Sequence, residues 1–394
     1  MQQTVFEKWL KFILLGLAAL GLGLIIGLLS AGFLHIVDWG QWLLWESGWS
    51  EFPFAPLLIC TTGGILVGLC QRYLGNHSQS IMEATQELRK TGRLAYNHLF
   101  QGLATVGTSL IFGASLGPEA AIMDLLGGLS TWAADCLRGL RARMHLELPS
   151  KKDTRLQHYA EKWPAILAIS IAILTFGFGV RTLYGGSFLS MQEGFAWQDL
   201  FWSIPLGCIG AALGALYGWL TTITQKIMQP LQQNPIIRTT LTGAALGLAA
   251  SFLPMMLFSG QHYLQSAYTQ AAKLGALALL LIALLRMIMI ALLLSSGWKG
   301  GQFLPLMFAG TAMGLSLSQA LPFISAPAGI LAVMAGLLVV VLPNALFALI
   351  LMLCMFPLQY AGIFSIAVLI AALVKTKIYG VPLFVRKPAV SPIE

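Results

Sequence analysis

Between Leu200 and Ile393 the chain has no aspartate and no glutamate; fourteen of its fifteen acidic residues lie at or before Asp199, and the last is Glu394. Cation carriers line their paths with carboxylates. Half of this protein has none to offer, so an anion path is the simpler reading. Charge of either sign is scarce: 10% of the 394 residues are Asp, Glu, Lys or Arg, where a soluble domain carries about 25%. Cysteine is sparse as well. Cys60, Cys70, Cys136, Cys208 and Cys354 are scattered, mostly in apolar sequence, with no CxxC or metal-like spacing. They read as small packing residues, not a redox or metal site. No HExxH, paired-Asp or Ser/His arrangement falls in the apolar segments, so an enzyme is not expected. No cofactor, metal or nucleic-acid partner is expected either.

What the chain has in abundance is apolar sequence: 57% hydrophobic residues, with a mean hydropathy of +0.78. Apolar stretches long enough to cross a bilayer recur throughout, which predicts an all-α, polytopic membrane protein. Expected segments are 9–35, 54–73, 97–114, 117–137, 163–178, 200–226, 237–258, 274–296, 300–319, 325–342, 344–358 and 361–378, with an amphipathic helix at 79–91. The first stretch is too long for a signal-peptide core and reads as a retained span. The 41 glycines suit close helix packing and broken helices. The loop at 36–53, with Trp39, Trp42, Trp45 and Trp49, reads as an interfacial aromatic belt.

Basic residues set the orientation. Lys8 and Lys11 precede the first span, Arg72, Arg89, Lys90 and Arg93 follow the second, and 138–162 carries seven Lys/Arg residues. Keeping these regions on the cytoplasmic side requires 97–137 to enter and return on one side. Gly113-Ala-Ser-Leu-Gly-Pro118 breaks that segment in its middle.

A weak internal repeat is visible. Thr62-Gly-Gly-Ile-Leu-Val-Gly68 resembles Thr242-Gly-Ala-Ala-Leu-Gly-Leu248, and the break at 113–118 has a counterpart in Gly297-Trp-Lys-Gly-Gly-Gln-Phe-Leu-Pro305. Lys226 and Arg238 fall where the first half has its acidic loop, so the two repeats are expected to have inverted topology. The expected division is a first repeat at 9–195, a second at 196–380 and a short cytoplasmic tail at 381–394. After its break the second repeat has four apolar segments and the first only two, so the first repeat is shortened by two helices.

A helix N-terminus inside a bilayer presents N–H groups and the positive end of a dipole, which makes it an anion site. Two such termini, near Gly117 and Gly301, converge if the repeats pack face to face. Glu119 sits in the first turn after one of them; it is either an ordinary N-terminal carboxylate or a group that occupies an anion site and leaves when protonated or displaced. Arg286, inside Leu279-Leu-Leu-Ile-Ala-Leu-Leu-Arg, reads as a structural charge paired with Asp124 or with helix-end carbonyls.

These motifs carry a family resemblance. Leu116-Gly-Pro-Glu-Ala-Ala, followed by Gly127-Gly128, resembles the gating-glutamate segment of CLC chloride channels and proton-coupled anion exchangers, and Gly301-Gln-Phe-Leu-Pro305 is similar to that family's GxFxP motif. The resemblance covers about 10–387. It implies a gate at Glu119 and an anion site around Gly117, Pro118, Glu119, Ala120, Gly301, Gln302, Phe303 and Leu304. The family's anion-binding serine has its counterpart in Gly75-Asn-His-Ser-Gln-Ser80, where His77 or Ser78 takes its place. Phe384 stands where the family has a tyrosine. The shortened first repeat removes the region that in the family carries an inner proton-transfer glutamate and part of the dimer surface. The function expected is transport of small inorganic anions, chloride first, with another halide such as fluoride open. Channel and exchanger remain alternatives, as does a non-conducting scaffold or sensor. The expected setting is the inner membrane of a cell, as a homodimer with an altered interface in a lipid bilayer.

Overall fold

The computed structural model describes residues 2–46, 52, 54–75, 81–144, 154–184, 189–191 and 193–379. Among these the protein is helical, and seven helices are long and apolar enough to cross a membrane. The fold class is the one expected: all-α and polytopic, with broken helices and repeats of inverted topology. The chain forms two compact units. One comprises 1–51, 69–112 and 118–186, the other 52–68, 113–117 and 187–394.

In the first unit, α1 (Gln2–Trp45) and α7 (Thr154–Tyr184) are the long elements. They run parallel, because Gly23 abuts Ala168, Gly27 abuts Ala172 and Thr175, and Gly179 abuts Ala31. Parallel packing brings the N-terminal parts of both helices, with Lys8 and Lys11 in α1 and Arg155 and Lys162 in α7, to the same end, as the charge bias requires. The third long helix begins as α5 (Glu119–Ile122), widens over Met123–Gly128 and continues as α6 (Leu129–Arg143). It packs on both: Leu137 joins Leu15, Ala19 and Ala168, and Ala133 joins Ile26 and Ala172.

The hairpin that the charges predicted is also here. Segment α4 (Leu99–Ile111) leads into the break. At the hairpin's open end Asp135 binds both Arg93 and Arg138, while the Leu94 N–H donates to Thr131 Oγ1 at 3.2 Å. Residues before α4 and within α6 therefore meet, and the segment doubles back on itself as a hairpin. The reading of 36–53 as a loop is corrected: α1 continues through Trp45. Gln41 Nε2 donates to the Leu110 carbonyl and Trp45 Nε1 to the Ile111 carbonyl, each at 3.0 Å. Those two oxygens belong to the end of α4, where the helix supplies no donors of its own. Trp45 thus has a hydrogen-bonded position, while Trp39 and Trp42 remain exposed and Trp49 lies outside the described residues.

The second unit is built around α13 (Ala326–Val341), thirteen of whose sixteen residues are buried. Helices α8 (Gln198–Met228), α12 (Phe303–Ala320) and α15 (Ala361–Tyr379) pack on it. Backbones touch where glycines face each other, as at Gly207 and Gly210 against Gly336, and Gly314 against Gly329. This is the small-residue packing of helices that gain nothing from hydrophobic association within lipid. The remaining helices are α9 (Pro235–Phe252), α10 (Gln261–Leu274), α11 (Ala276–Ser296) and α14 (Ala345–Met355). Two expectations are corrected. The segment placed at 237–258 stops being α-helical after Phe252, and α10 was not anticipated. In the first repeat α2 is Ala55–Leu74 and the short amphipathic α3 is Ile81–Thr91.

The internal repeat has a physical basis in this unit. A Cβ on Gly64 would lie 2.4 Å from the Thr239 carbonyl oxygen, and one on Gly243 would lie 2.3 Å from that of Cys60. Likewise Gly68 meets Ile236 and Gly247 meets Leu57. Numbers rise along α2 as they fall along α9, so the helices cross antiparallel. Adding 179 to a residue of α2 gives its counterpart in α9, and this operation exchanges the contact pairs. Such reciprocity is the mark of a two-fold axis; for antiparallel membrane helices that axis lies in the membrane plane. The pairing of Thr62 with Thr242 was one residue out of register.

Candidate functional site

Both breaks are five residues long, and they match at an offset of 184. Each opens on a glycine with positive φ, Gly113 at 84° and Gly297 at 99°, a conformation that ends a helix without a Cβ clash. Each closes on a glycine that bonds to the other. The Gly117 N–H donates to the Gly301 carbonyl at 2.7 Å, and the Gly301 N–H donates back to the Gly117 carbonyl at 2.6 Å. A residue paired with its own counterpart sits on the repeat axis. A Cβ on Gly300 would lie 2.7 Å from that of Leu116, so the breaks touch beyond the bridge.

A helix begins immediately after each bridging glycine. Pro118, at φ −77° and ψ 0°, precedes α5, and the Ile122 N–H donates to its carbonyl at 3.0 Å. Glu119 opens that helix, half-buried, with Ala120 buried behind it. The helical backbone runs without interruption through Asp124 to Arg143. On the other side Gln302 precedes α12, and Phe303 and Leu304 form its buried first turn. Pro305 has no N–H, and the Leu306 N–H is spent on the Gln302 carbonyl at 3.1 Å. The Phe303 amide therefore lies outside the helix's own ladder.

Arg286 is fully buried. Its guanidinium donates to the carbonyls of Met255, Leu257 and Phe258 and lies over the Phe308 ring, 4.9 Å from the centroid. Of the two partners considered from the sequence, helix-end carbonyls are observed. Phe258 carries the connection onward, since its N–H donates to the Gly113 carbonyl at 3.2 Å. The second break is held differently. Trp298, 1% exposed, donates from Nε1 to the Thr239 carbonyl at 3.0 Å and to Thr242 Oγ1 at 3.1 Å. His77, Ser78 and Phe384 lie outside the described residues.

The site residues that sequence reasoning missed are Phe258, Trp298 and Tyr217. Tyr217, buried in α8, donates its hydroxyl to Gln302 Oε1 at 2.7 Å. A lone tyrosine in a glycine-rich apolar span was the available clue.

The sequence profile described as "Voltage gated chloride channel" matches residues 154–376, more than half of the chain. The chain belongs to the CLC family. CLC members are channels or transporters, not enzymes; they need no cofactor and carry halide anions, and this chain is a multi-pass anion channel or antiporter of that family. Among relatives, ClcB of Citrobacter koseri, named as a voltage-gated ClC-type chloride channel, is 23% identical over 356 residues, covering 80% of this chain and 83% of that one. YfeO of Escherichia fergusonii, provisionally named as an ion-transport protein, is 24% identical over 369 residues, covering 84% and 85%. Among solved structures, a slow cyanobacterial Cl⁻/H⁺ antiporter superposes with a TM-score of 0.71 at 18% identity, covering 94% of this chain and 96% of that one. A CLC-type fluoride/proton antiporter gives 0.69 at 18% identity, covering 93% and 96%. At that identity the likeness establishes the CLC fold.

Proposed function

We propose that this CLC protein moves chloride across the inner membrane of a bacterial cell through a site between two helix N-termini, with Glu119 as the gate. The repeats are 9–195 and 196–380, and the working form is a homodimer whose interface is altered by the shortened first repeat. The observation that carries the reading is the reciprocal Gly117–Gly301 bridge, with each helix beginning within two residues of it. Consecutive Cα atoms are 3.8 Å apart, so chain connectivity alone keeps the amides of Glu119, Ala120, Phe303 and Leu304 near the bridge. A chloride there takes N–H donors and the positive ends of two dipoles in a low-dielectric interior.

Glu119 competes for the same field. Its carboxylate gains from the dipole of the helix it opens, by about 0.3–2 kcal/mol depending on burial. An arriving anion displaces it, and a proton neutralises it, so occupancy and pH both set how often the path is open. The absence of acidic side chains from 200 to 393 leaves the second half with no fixed charge to repel an anion.

Efflux from proteoliposomes tests this, with chloride and fluoride compared and proton movement recorded. Glu119→Ala is expected to change anion flux, and Glu119→Gln to flatten its pH dependence. Unchanged flux and unchanged pH dependence in both variants remove the gate. The ratio of the two halide fluxes decides between chloride and fluoride, and the proton trace between channel and antiporter. No flux from folded protein leaves a non-conducting scaffold.

A further inference from the structure

Gln302 precedes the first turn of α12 but does not cap it: its side chain makes no hydrogen bond to the helix's own amides. Instead its Oε1 accepts from the Tyr217 hydroxyl at 2.7 Å. Tyr217 is 3% exposed, and among the described residues its hydroxyl has no other partner. A buried phenol must place its proton on an acceptor or incur the desolvation penalty. Only Oε1 of the Gln302 amide can accept; Nε2 carries hydrogens alone. The phenol therefore fixes the orientation of the amide, with Oε1 toward α8. Among the described residues the two N–H groups of Nε2 have no partner, and Gln302 is only half-buried.

Depth is consistent with a place in the path. Tyr217 lies nine residues before Lys226 in α8, about 14 Å along a helix rising 1.5 Å per residue. With Lys226 at the cytoplasmic face by the positive-inside rule, that is near the middle of a hydrocarbon core about 30 Å thick. In the chain Gln302 lies between the bridging Gly301 and the Phe303 amide.

We infer that the Gln302 side-chain amide is a direct donor to the transported anion, and that Tyr217 is the positioning residue that aims it. The inference rests on the proposed site at the α12 N-terminus. It adds a side-chain ligand to a site otherwise made of backbone, and it makes the site more selective. Fluoride is the stronger hydrogen-bond acceptor and the costlier ion to strip of water, so losing one donor weakens fluoride more than chloride. Hydrogen bonds to charged groups are worth enough for a loss of about tenfold in affinity.

The test is a double-mutant cycle on halide binding, measured by titration calorimetry on purified full-length protein with chloride and with fluoride. Tyr217→Phe and Gln302→Leu are each expected to weaken binding about tenfold for the more affected halide, and the double variant to bind no worse than Gln302→Leu. Additive effects, or unchanged binding in the single variants, overturn the inference. If Gln302→Leu does not fold, Gln302→Glu serves. It keeps the acceptor for Tyr217 and the side chain's shape but removes the donor, and it is expected to abolish binding at neutral pH; retained binding overturns the inference. Running Glu119→Ala flux in parallel separates the two ideas. A flux change there with unaltered binding in Tyr217→Phe defeats this inference and leaves the proposed function standing. No binding and no flux in the unmodified protein defeats both.

Discussion

The breaks at 113–117 and 297–301 share a backbone and little else. Both open on a left-handed glycine and close on a glycine of the bridge. The first is small and apolar inside, apart from the Ser115 hydroxyl, and leads into a helix that starts with a carboxylate. It is held from outside, through Phe258 and the carbonyls that Arg286 gathers. The second contains its own anchor, Trp298, which reaches into the crossing of α2 and α9. A duplicated framework has thus kept the geometry that exposes amides and divided the remaining tasks. One copy leads into a helix that opens on a carboxylate, and the other carries the bulk that fixes the axis.

Three substitutions probe how unequal the copies are. The largest effect is expected from Arg286→Met, which fits the space but leaves three carbonyls, one buried and two part-buried, without their donor. At roughly 1–3 kcal/mol for each unsatisfied group, partly relieved by relaxation, a loss of about 3 kcal/mol follows. Thermal unfolding in detergent would register it, and anion flux should fall with it, because the first break loses its support. A stable, fully active Arg286→Met would mean that the first break stands without the clamp. Trp298→Phe comes next. It keeps one aromatic ring but removes the Nε1 donor and opens a small cavity, for a loss of about 2 kcal/mol, with flux expected to change little. If flux instead falls as far as in Arg286→Met, the two anchors are equivalent and the proposed division of tasks is wrong.

Ser115→Ala should do least. Among the described residues the Ser115 hydroxyl is fully buried without a hydrogen-bond partner. The hydroxyls of Ser30, Thr105 and Ser109 bond back to their own helices. The break removes that option for Ser115. Replacing an unsatisfied group with a methyl is expected to raise stability by up to ~1 kcal/mol. A drop in stability, read by the same unfolding curve, would place a bound water or ion on that hydroxyl.

Much of this architecture was legible in the sequence because lipid makes it so. Within a bilayer every backbone group must be satisfied internally, so apolar runs report helices and glycine-rich interruptions report breaks. Charge bias alone yielded the hairpin at 97–137. Elements were missed where that logic does not apply. Helix α10 is rich in Gln, Ser, Thr and Tyr, and a search for apolar runs passes over it. Gly260 at φ 82° and Gly275 at φ 80°, which bracket it, were its local signs. The end of α1 was taken for a loop because of its tryptophans and Asp38, since nothing local shows that Gln41 and Trp45 are needed by carbonyls near residue 110. Register failed by one residue in the repeat because identity matching favoured Thr62, whereas packing selects Gly64 and Gly68. The bridge between Gly117 and Gly301 was foreshadowed as a convergence of helix ends. The links through Phe258, Trp298 and Tyr217 join residues about 60 to 150 positions apart in the chain, and no local pattern encodes them.

The glycine crossing of α2 with α9 also constrains how the protein is made. The two faces that fit together are separated by 179 residues, so α2 enters the bilayer long before its partner exists. At synthesis rates of about 5–20 residues per second, it waits roughly 10 to 35 s with its Gly64 and Gly68 face open to lipid. During biogenesis that groove must be kept from pairing with another nascent α2, whose face carries the same glycines.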